Sequence, residues 1–478
     1  MTDAGTEFGT DAPLILWFRR DLRLSDHPML TAAVATGRPL IAVFVLDPET
    51  EALGAAHRWR LGLGVAAFAR ALEAAGSRLT LRRGQALPVL QALVRDTGAA
   101  GVMWQRLYDP VCVARDTGVK AGLRAQGVQA VSHPGHLLFE PWDVATGQGG
   151  PYRVYTPFWR AVRDRGVAEA APAPSALRAP AVWPYSERLE DWHLGAAMRR
   201  GAAVVADHVT VGTAAAEARL ARFMDHGIER YAISRDLPAE AGTSGLSENF
   251  AFGEIGIRRV WHAGMRSMHE GRAGAETFLR ELVWREFSYH LIHHFPQMAQ
   301  ANFKPEWDAF PWRGDNRDAE HWRRGMTGEP FVDAAMREMY VTGTMHNRGR
   351  MIVASYLTKH LMTDWRVGLQ WFEDCLIDWD PAANAMGWQW AAGSGPDAAP
   401  YFRIFNPATQ VEKFDPDKVY RHRFIAELTA RPGPLARAYF EAVPERWQLS
   451  AQTPYPKPLV DLAEGRNRAL AAYAARNS

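Results

Sequence analysis

The sequence predicts an α/β domain built on a parallel, Rossmann-like sheet, followed by an all-helical domain. Two observations carry this. In the first 140 residues, short β-rich apolar runs alternate with helical patterns, as βαβ units do. From about residue 205 the apolar positions recur at helical spacing to the end of the chain.

Residues 1–12, MTDAGTEFGTDA, lack the basic and apolar pattern of a signal peptide and read as a disordered tail. The α/β domain is expected over 13–140. Its strands are LILWF (14–18), LIAVFVLD (40–47), RLTLR (78–82) and GVMW (101–104), with helices over 57–76 and 87–98 between them. Gly62, Gly64 and Ala67 match a GxGxxA dinucleotide fingerprint. That motif must follow a strand directly, whereas these residues lie inside a helical pattern, so they read as ordinary helix. Residues 141–204 include APAPSALRAP and scattered Gly and Pro, and read as an interdomain linker. The helical domain is expected over 205–478, with helical runs at 278–295 and 348–376.

At 478 residues the chain is long for one core. Net charge is only +2, so a nucleic-acid partner needs a local basic face. The two cysteines, Cys112 and Cys375, exclude a disulfide framework, CxxC metal pairs and a four-cysteine iron–sulfur cluster. His290, His293 and His294 have a metal-like spacing, but on an aromatic-rich helix they read as structural, and no metal is expected. No apolar run approaches the roughly 18 residues of a membrane helix, so the default is a cytoplasmic protein. The 18 tryptophans are many for a globular chain, and indoles serve in stacking and recognition.

Four stretches carry candidate chemistry. DWDPAANAMGWQW (378–390) mixes two carboxylates, an amide and three indoles, which suits a wall around something flat and polar. TSGLS (243–247) reads either as a capped turn or as an anion-binding nest opening a helix at Ser247. In ELVWREFS, the residues Glu281, Trp284, Arg285 and Ser288 fall on one helix face, a solvated ion pair or a recognition surface. In MHNRGRM (345–351), Asn347 and Met351 are one turn apart. Arg348 and Arg350 point to nearly opposite sides, so one can meet phosphates and the other a carboxylate.

These stretches, with LWFRRDLRLSDHPML (16–30), TGEPFVDAAMREM (327–339), DWR (364–366) and NAMGWQWAAGSGPDAAPYFRIFNPATQ (384–410), resemble the photolyase/cryptochrome family from about residue 13 to 475. The resemblance implies an N-terminal antenna domain, a linker, and a helical domain holding FAD. Thr243, Ser244, Gly245, Leu246 and Ser247 would then hold the phosphates, with Tyr231 and Phe278 lining the site. Asp378, Trp379 and Asp380 would lie along the flavin and ribityl chain, Arg350 would pair with Asp378, and Asn384 would face flavin N5. The implied activity is repair of cyclobutane pyrimidine dimers in DNA. Excited reduced flavin donates an electron to a flipped-out dimer, the ring opens, and the electron returns. Glu281, Trp284, Asn347 and Met351 would contact the lesion, with Ser288 on the same face. Arg235, Arg285 and Arg348 would meet phosphates. Trp388, Trp365 and Trp312 match the family's electron-transfer chain.

A cryptochrome photoreceptor and a (6-4) photolyase are the alternatives. Asn384 favours repair over signalling, because plant cryptochromes typically carry Asp and insect ones Cys there. Asn347 and Met351 stand where (6-4) enzymes carry a characteristic histidine. The NAMGWQW wording is most like class III dimer photolyases. Gln105 and Asp109 fall near the family's folate segment without reproducing its residues. A 5,10-methenyltetrahydrofolate antenna is favoured, a deazaflavin being the alternative. The expected partner is damaged DNA, and the protein is expected to be a monomer.

Overall fold

The computed structural model describes residues 11–397 and 402–476. The expected tail residues 1–10 and the motif residues 398–401 lie outside the described residues. Five parallel strands form one sheet in the order β3-β2-β1-β4-β5: β1 Leu14–Phe18, β2 Leu40–Leu46, β3 Leu79–Arg83, β4 Gly101–Gln105 and β5 Gln129–His133. Leu14 of β1 pairs with Leu40 on one side and Gly101 on the other. β1 and β2 are buried throughout, which is why both read as unbroken apolar runs rather than alternating ones. The strand order reverses direction beside β1, so the crevice between the ends of β1 and β4 is a topological switch point. The fifth strand was not expected. QAVSH sits at the sheet edge with one buried residue, and its apolar signal is accordingly weak.

Helices α1 (Pro28–Ala35), α2 (Ala55–Ala74), α3 (Ala86–Thr97) and α4 (Pro110–Arg124) cover the sheet. Gly62, Gly64 and Ala67 lie inside α2. The segment expected as a linker carries structure of its own. Helix α5 (Tyr155–Val162) buries Tyr155, Phe158, Trp159 and Val162 in the core of the helical body.

That body is helical among the described residues. The elements that matter most are α6 (Ser247–Ala251), α7 (Ala275–His294), α8 (Pro330–Thr342), α9 (Asn347–Ser355), α10 (Trp365–Cys375) and α11 (Pro381–Ala392). The expected helical run over 348–376 is broken. A π-helical turn at Tyr356–His360 closes α9, and the Asp364 carboxylate caps a new helix at the Arg366 N–H (2.8 Å). Two of the three α7 histidines are held by the backbone of the preceding segment: His290 Nε2 accepts the Tyr152 N–H at 3.0 Å, and His294 Nε2 lies 3.1 Å from the Pro141 carbonyl. No helix of the described residues is long and apolar enough to cross a membrane.

The two parts are joined by buried charge. Arg60 of α2, with no solvent exposure, reaches Glu254 through two hydrogen bonds (2.9 and 2.7 Å) and Glu248 at 3.3 Å. Arg23 donates to the carbonyls of Gly253 and Gly135, both at 3.0 Å. Asp26 pairs with Arg258. Gly253 adopts φ +64°, and a Cβ there would collide with the backbone of Arg20 and Asp21, so only glycine allows this approach.

Removing one member of a buried ion pair strands the others. Arg60→Met is expected to destabilise the protein by about 3–5 kcal/mol, read as a lower urea midpoint. A midpoint unchanged from wild type would show that the network contributes little.

Candidate functional site

Between Gly242 and α6 the chain forms an open cradle. Gly245 takes a left-handed φ of +65°, and a Cβ there would meet nothing within 4 Å. Thr243, Gly245 and Ser247 are exposed, Leu246 is buried beneath them, and Ser244 Oγ accepts the Leu246 N–H at 3.4 Å. The cradle is anchored from behind. Glu248 pairs with Arg60 and Arg219, and Asn249 Nδ2 donates to Glu254 at 2.6 Å. An arched backbone flanked by hydroxyls suits phosphate oxygens.

A polar wall stands at the start of α11. Asp378, 5% exposed, receives both of its hydrogen bonds from Arg350 Nη2 (2.9 and 2.7 Å), and Arg350 Nε donates to the Met345 carbonyl at 2.8 Å. Asp380 caps the helix through the Ala383 N–H (2.8 Å). Its second carboxylate oxygen accepts the Tyr289 hydroxyl at 2.5 Å. Asn384 Nδ2 donates back to the Asp380 carbonyl at 3.1 Å, which leaves the amide oxygen as an acceptor. Trp379 meets the His57 ring edge-on, with centroids 5.9 Å apart. Burial, with Arg20 and Arg60 nearby, pushes His57 down to about 3, so the ring is neutral. His57 and Arg60 are one helical turn apart on α2. One turn of the sheet domain therefore supports both the wall, through Trp379, and the cradle, through Glu248.

The residues present fit a flavin nucleotide. The indole N–H groups of Trp379 and Trp388 are buried without a partner among the described residues. A Cβ on Gly387 would meet nothing within 4 Å, so the wall is open there. Tyr231 and Phe278 pack edge to face at 5.6 Å, and Arg235 lies 5.6 Å over the Tyr231 ring.

Several expected lesion or DNA contacts are engaged with other protein groups. Glu281 pairs with Arg235, and Arg348 pairs with Asp236 at 2.6 Å. Asn347 is exposed and lies 3.9 Å from the Met351 sulfur. Trp284 stacks on Tyr155 with centroids 3.6 Å apart and planes 7° apart, so one of its faces is taken. Two expectations need correction. Arg285 is turned inward, bonded to the His136 carbonyl and ring at 3.0 Å and to Glu286 at 3.2 Å, and is not free for phosphates. Ser288 has no exposure, and its hydroxyl donates to the Arg285 carbonyl at 2.7 Å. Helical spacing identifies a face but not what covers it.

The three tryptophans differ in burial. Trp388 and Trp365 are 2% and 0% exposed, while Trp312 is half-buried. Gly368, one turn after Trp365 on α10, admits the Trp388 ring, which a Cβ would strike. Trp365 Nε1 donates to Asn302 at 2.9 Å. Arg313, next to Trp312, bridges to Thr363 just before α10.

Sequence patterns did not single out Arg20, Arg60, Tyr155, Asp236, Glu248 or Tyr289. Each acts through a partner distant in sequence or through a neighbour's backbone, and periodicity carries no such signal.

A family model described as DNA photolyase matches residues 14–176, and one described as the FAD binding domain of DNA photolyase matches 278–475. The deoxyribodipyrimidine photo-lyase of Agrobacterium fabrum is 47% identical, over 97% of this chain and 98% of that one. Cryptochrome-2 of Arabidopsis thaliana is 34% identical, over 95% of this chain and 78% of that protein. The crystal structure of a class III photolyase from Agrobacterium tumefaciens superimposes with a TM-score of 0.90 at 44% identity, covering all of both chains. Similarity from one end of the chain to the other shows that it belongs to the photolyase/cryptochrome family.

Proposed function

We infer that this chain repairs cyclobutane pyrimidine dimers in DNA under blue light, as a class III enzyme carrying FAD. The observation that carries the reading lies on α9. Asn347 is exposed and, like Arg348, lies 3.9 Å from the Met351 sulfur, while Arg350 turns back to Asp378 in the wall. One short helix thus joins a surface for a lesion to a wall for the cofactor.

FAD, when bound and reduced, supplies the photoexcited electron that opens the dimer. The protein's own tasks are to bind, orient and exclude water. Thr243, Ser244, Gly245, Leu246 and Ser247 would hold the phosphates, with Tyr231 and Phe278 beneath the site. Arg350 and Asp378 would flank the isoalloxazine, with Trp379 and Asp380 along it. The free amide oxygen of Asn384 would accept a hydrogen bond from N5. Its neutrality favours repair over the cryptochrome reading. Extrusion of the target from the duplex is established for photolyases and is taken over from the family. Glu281 would bond a pyrimidine, the open face of Trp284 would stack on the dimer, and Asn347 and Met351 would close the other side. Arg235 and Arg348, now paired with acids, would exchange them for DNA phosphates. Trp388, Trp365 and Trp312 would carry a hole outward during photoreduction of oxidised cofactor.

A folate antenna, 5,10-methenyltetrahydrofolate, belongs to the same proposal. Gln105 is 2% exposed with both amide atoms unpartnered among the described residues, Asp109 Oδ2 is likewise buried and unpartnered there, and Trp142 nearby is 49% exposed. A deazaflavin is the alternative antenna. A monomer belongs to the same proposal. The absence of any membrane-spanning helix among the described residues agrees with a cytoplasmic enzyme.

The deciding experiment illuminates reduced protein with dimer-containing oligothymidine and follows thymine absorbance. Recovery is expected; none, with FAD bound, would favour the receptor reading. Trp388→Phe should slow photoreduction of oxidised FAD severely yet leave repair by pre-reduced enzyme nearly intact. Equal losses in both assays would remove Trp388 from the chain. Trp284→Ala should weaken binding of dimer-containing DNA by about 1–3 kcal/mol, the range for a lost base–aromatic stack, with little change for undamaged DNA. Parallel losses on both DNAs in a titration would contradict its lesion-reading role.

A further inference from the structure

The wall contains two carboxylates, and they are satisfied differently. Asp378 meets Arg350 directly. Asp380 has no such partner of its own among the described residues. It accepts the hydroxyl of Tyr289, and that hydroxyl accepts Arg20 Nη2 at 2.8 Å. A phenol has one proton. With that proton given to Asp380, the lone pair facing Arg20 must be the acceptor, so the direction of the relay is fixed.

Arg20 lies in the loop after β1, in the sheet domain, whereas Tyr289 is a fully buried residue of α7 and Asp380 caps α11. The loop is clamped. Leu22 N–H donates to the Phe252 carbonyl at 3.1 Å, and the Gly253 backbone is pressed against Arg20 and Asp21. Burial opposes the Arg20 charge, but Tyr289, Asp109 and Asp380 together raise its pKa above the ordinary value, so the guanidinium stays charged. Burial raises the Tyr289 phenol well above its ordinary value, Asp380 adding to this and Arg20 opposing, and it remains a neutral donor.

We propose that Arg20 is a positioning residue for the cofactor wall: through the Tyr289 hydroxyl it orients the Asp380 carboxylate and offsets its negative charge. This rests on the FAD reading above and deepens it. Asp380 in turn fixes Asn384, whose amide donates to the Asp380 carbonyl. An uncompensated Asp380 would leave a net negative charge beside the flavin and make reduction harder.

The test is the reduction potential of FAD bound to the full-length protein, measured spectroelectrochemically for wild type, Arg20→Gln, Arg20→Lys and Tyr289→Phe. Arg20→Gln should lower the ratio of reduced to oxidised FAD at a fixed potential by roughly tenfold, about 30 mV for a two-electron couple. Tyr289→Phe should move it in the same direction by less, and Arg20→Lys should restore most of the wild-type value. An unmoved potential in Arg20→Gln overturns the proposal, as does a Lys variant displaced as far as the Gln variant. Should Arg20→Gln fail to retain FAD, an unmoved potential in Tyr289→Phe overturns it instead. Wild type that repairs dimers while the variants keep its potential removes this inference alone. Wild type that binds FAD without repairing dimers removes the repair reading and leaves the potential shifts to stand.

Discussion

The buried guanidinium of Arg60 is the interaction on which the rest of the architecture depends. It sits in a sheet-domain helix, yet both of its acceptors, Glu248 and Glu254, belong to the helical body. Charges removed from water are tolerable only when their partners are in place and well oriented. The two parts can therefore pack in this orientation and few others. The 243–247 loop inherits that constraint, because Glu248 directly follows Ser247. That loop is anchored through Glu248 to Arg60, a residue far earlier in the chain.

The same logic governs the wall. Its short acidic segment would repel itself and destabilise the start of α11 if left unpaired. Instead Asp378 is neutralised by Arg350, and Asp380 serves at once as helix cap and as acceptor for a phenol. The helix dipole favours a carboxylate at its N-terminus, so the cap and the wall are one solution to two requirements. Asn384 lies one turn further in. Its orientation follows from the preceding turn, because its amide N–H donates to the Asp380 carbonyl and leaves the oxygen as an acceptor.

How much of this was legible in the sequence varied with the range of the interaction. Strands β1 and β2 announced themselves because burial on both faces makes them continuous apolar runs. Strand β5 did not, because an edge strand with one buried residue has no such run. Arg350 and Arg348 were read onto opposite sides of their helix from spacing alone, and they found different carboxylates, Asp378 and Asp236. Spacing also put Arg285 and Ser288 on the face with Glu281, but Arg285 is engaged by His136 and the Ser288 hydroxyl by the helix's own carbonyl. Tyr155 had no signal at all: it lies in a stretch that composition marked as linker, and its ring is stacked on Trp284. Local rules reach about one helical turn, whereas partners chosen across domains leave no periodic trace.

Gly368 has a further consequence. It is the slot for the Trp388 ring, and a single added carbon would collide with that ring. The two positions are therefore not free to vary one at a time. A methyl group at 368 would displace the indole, and a smaller ring at 388 would open a void beside α10. Natural drift along this part of the chain should proceed in correlated pairs, with the bulk of one side chain traded against the other.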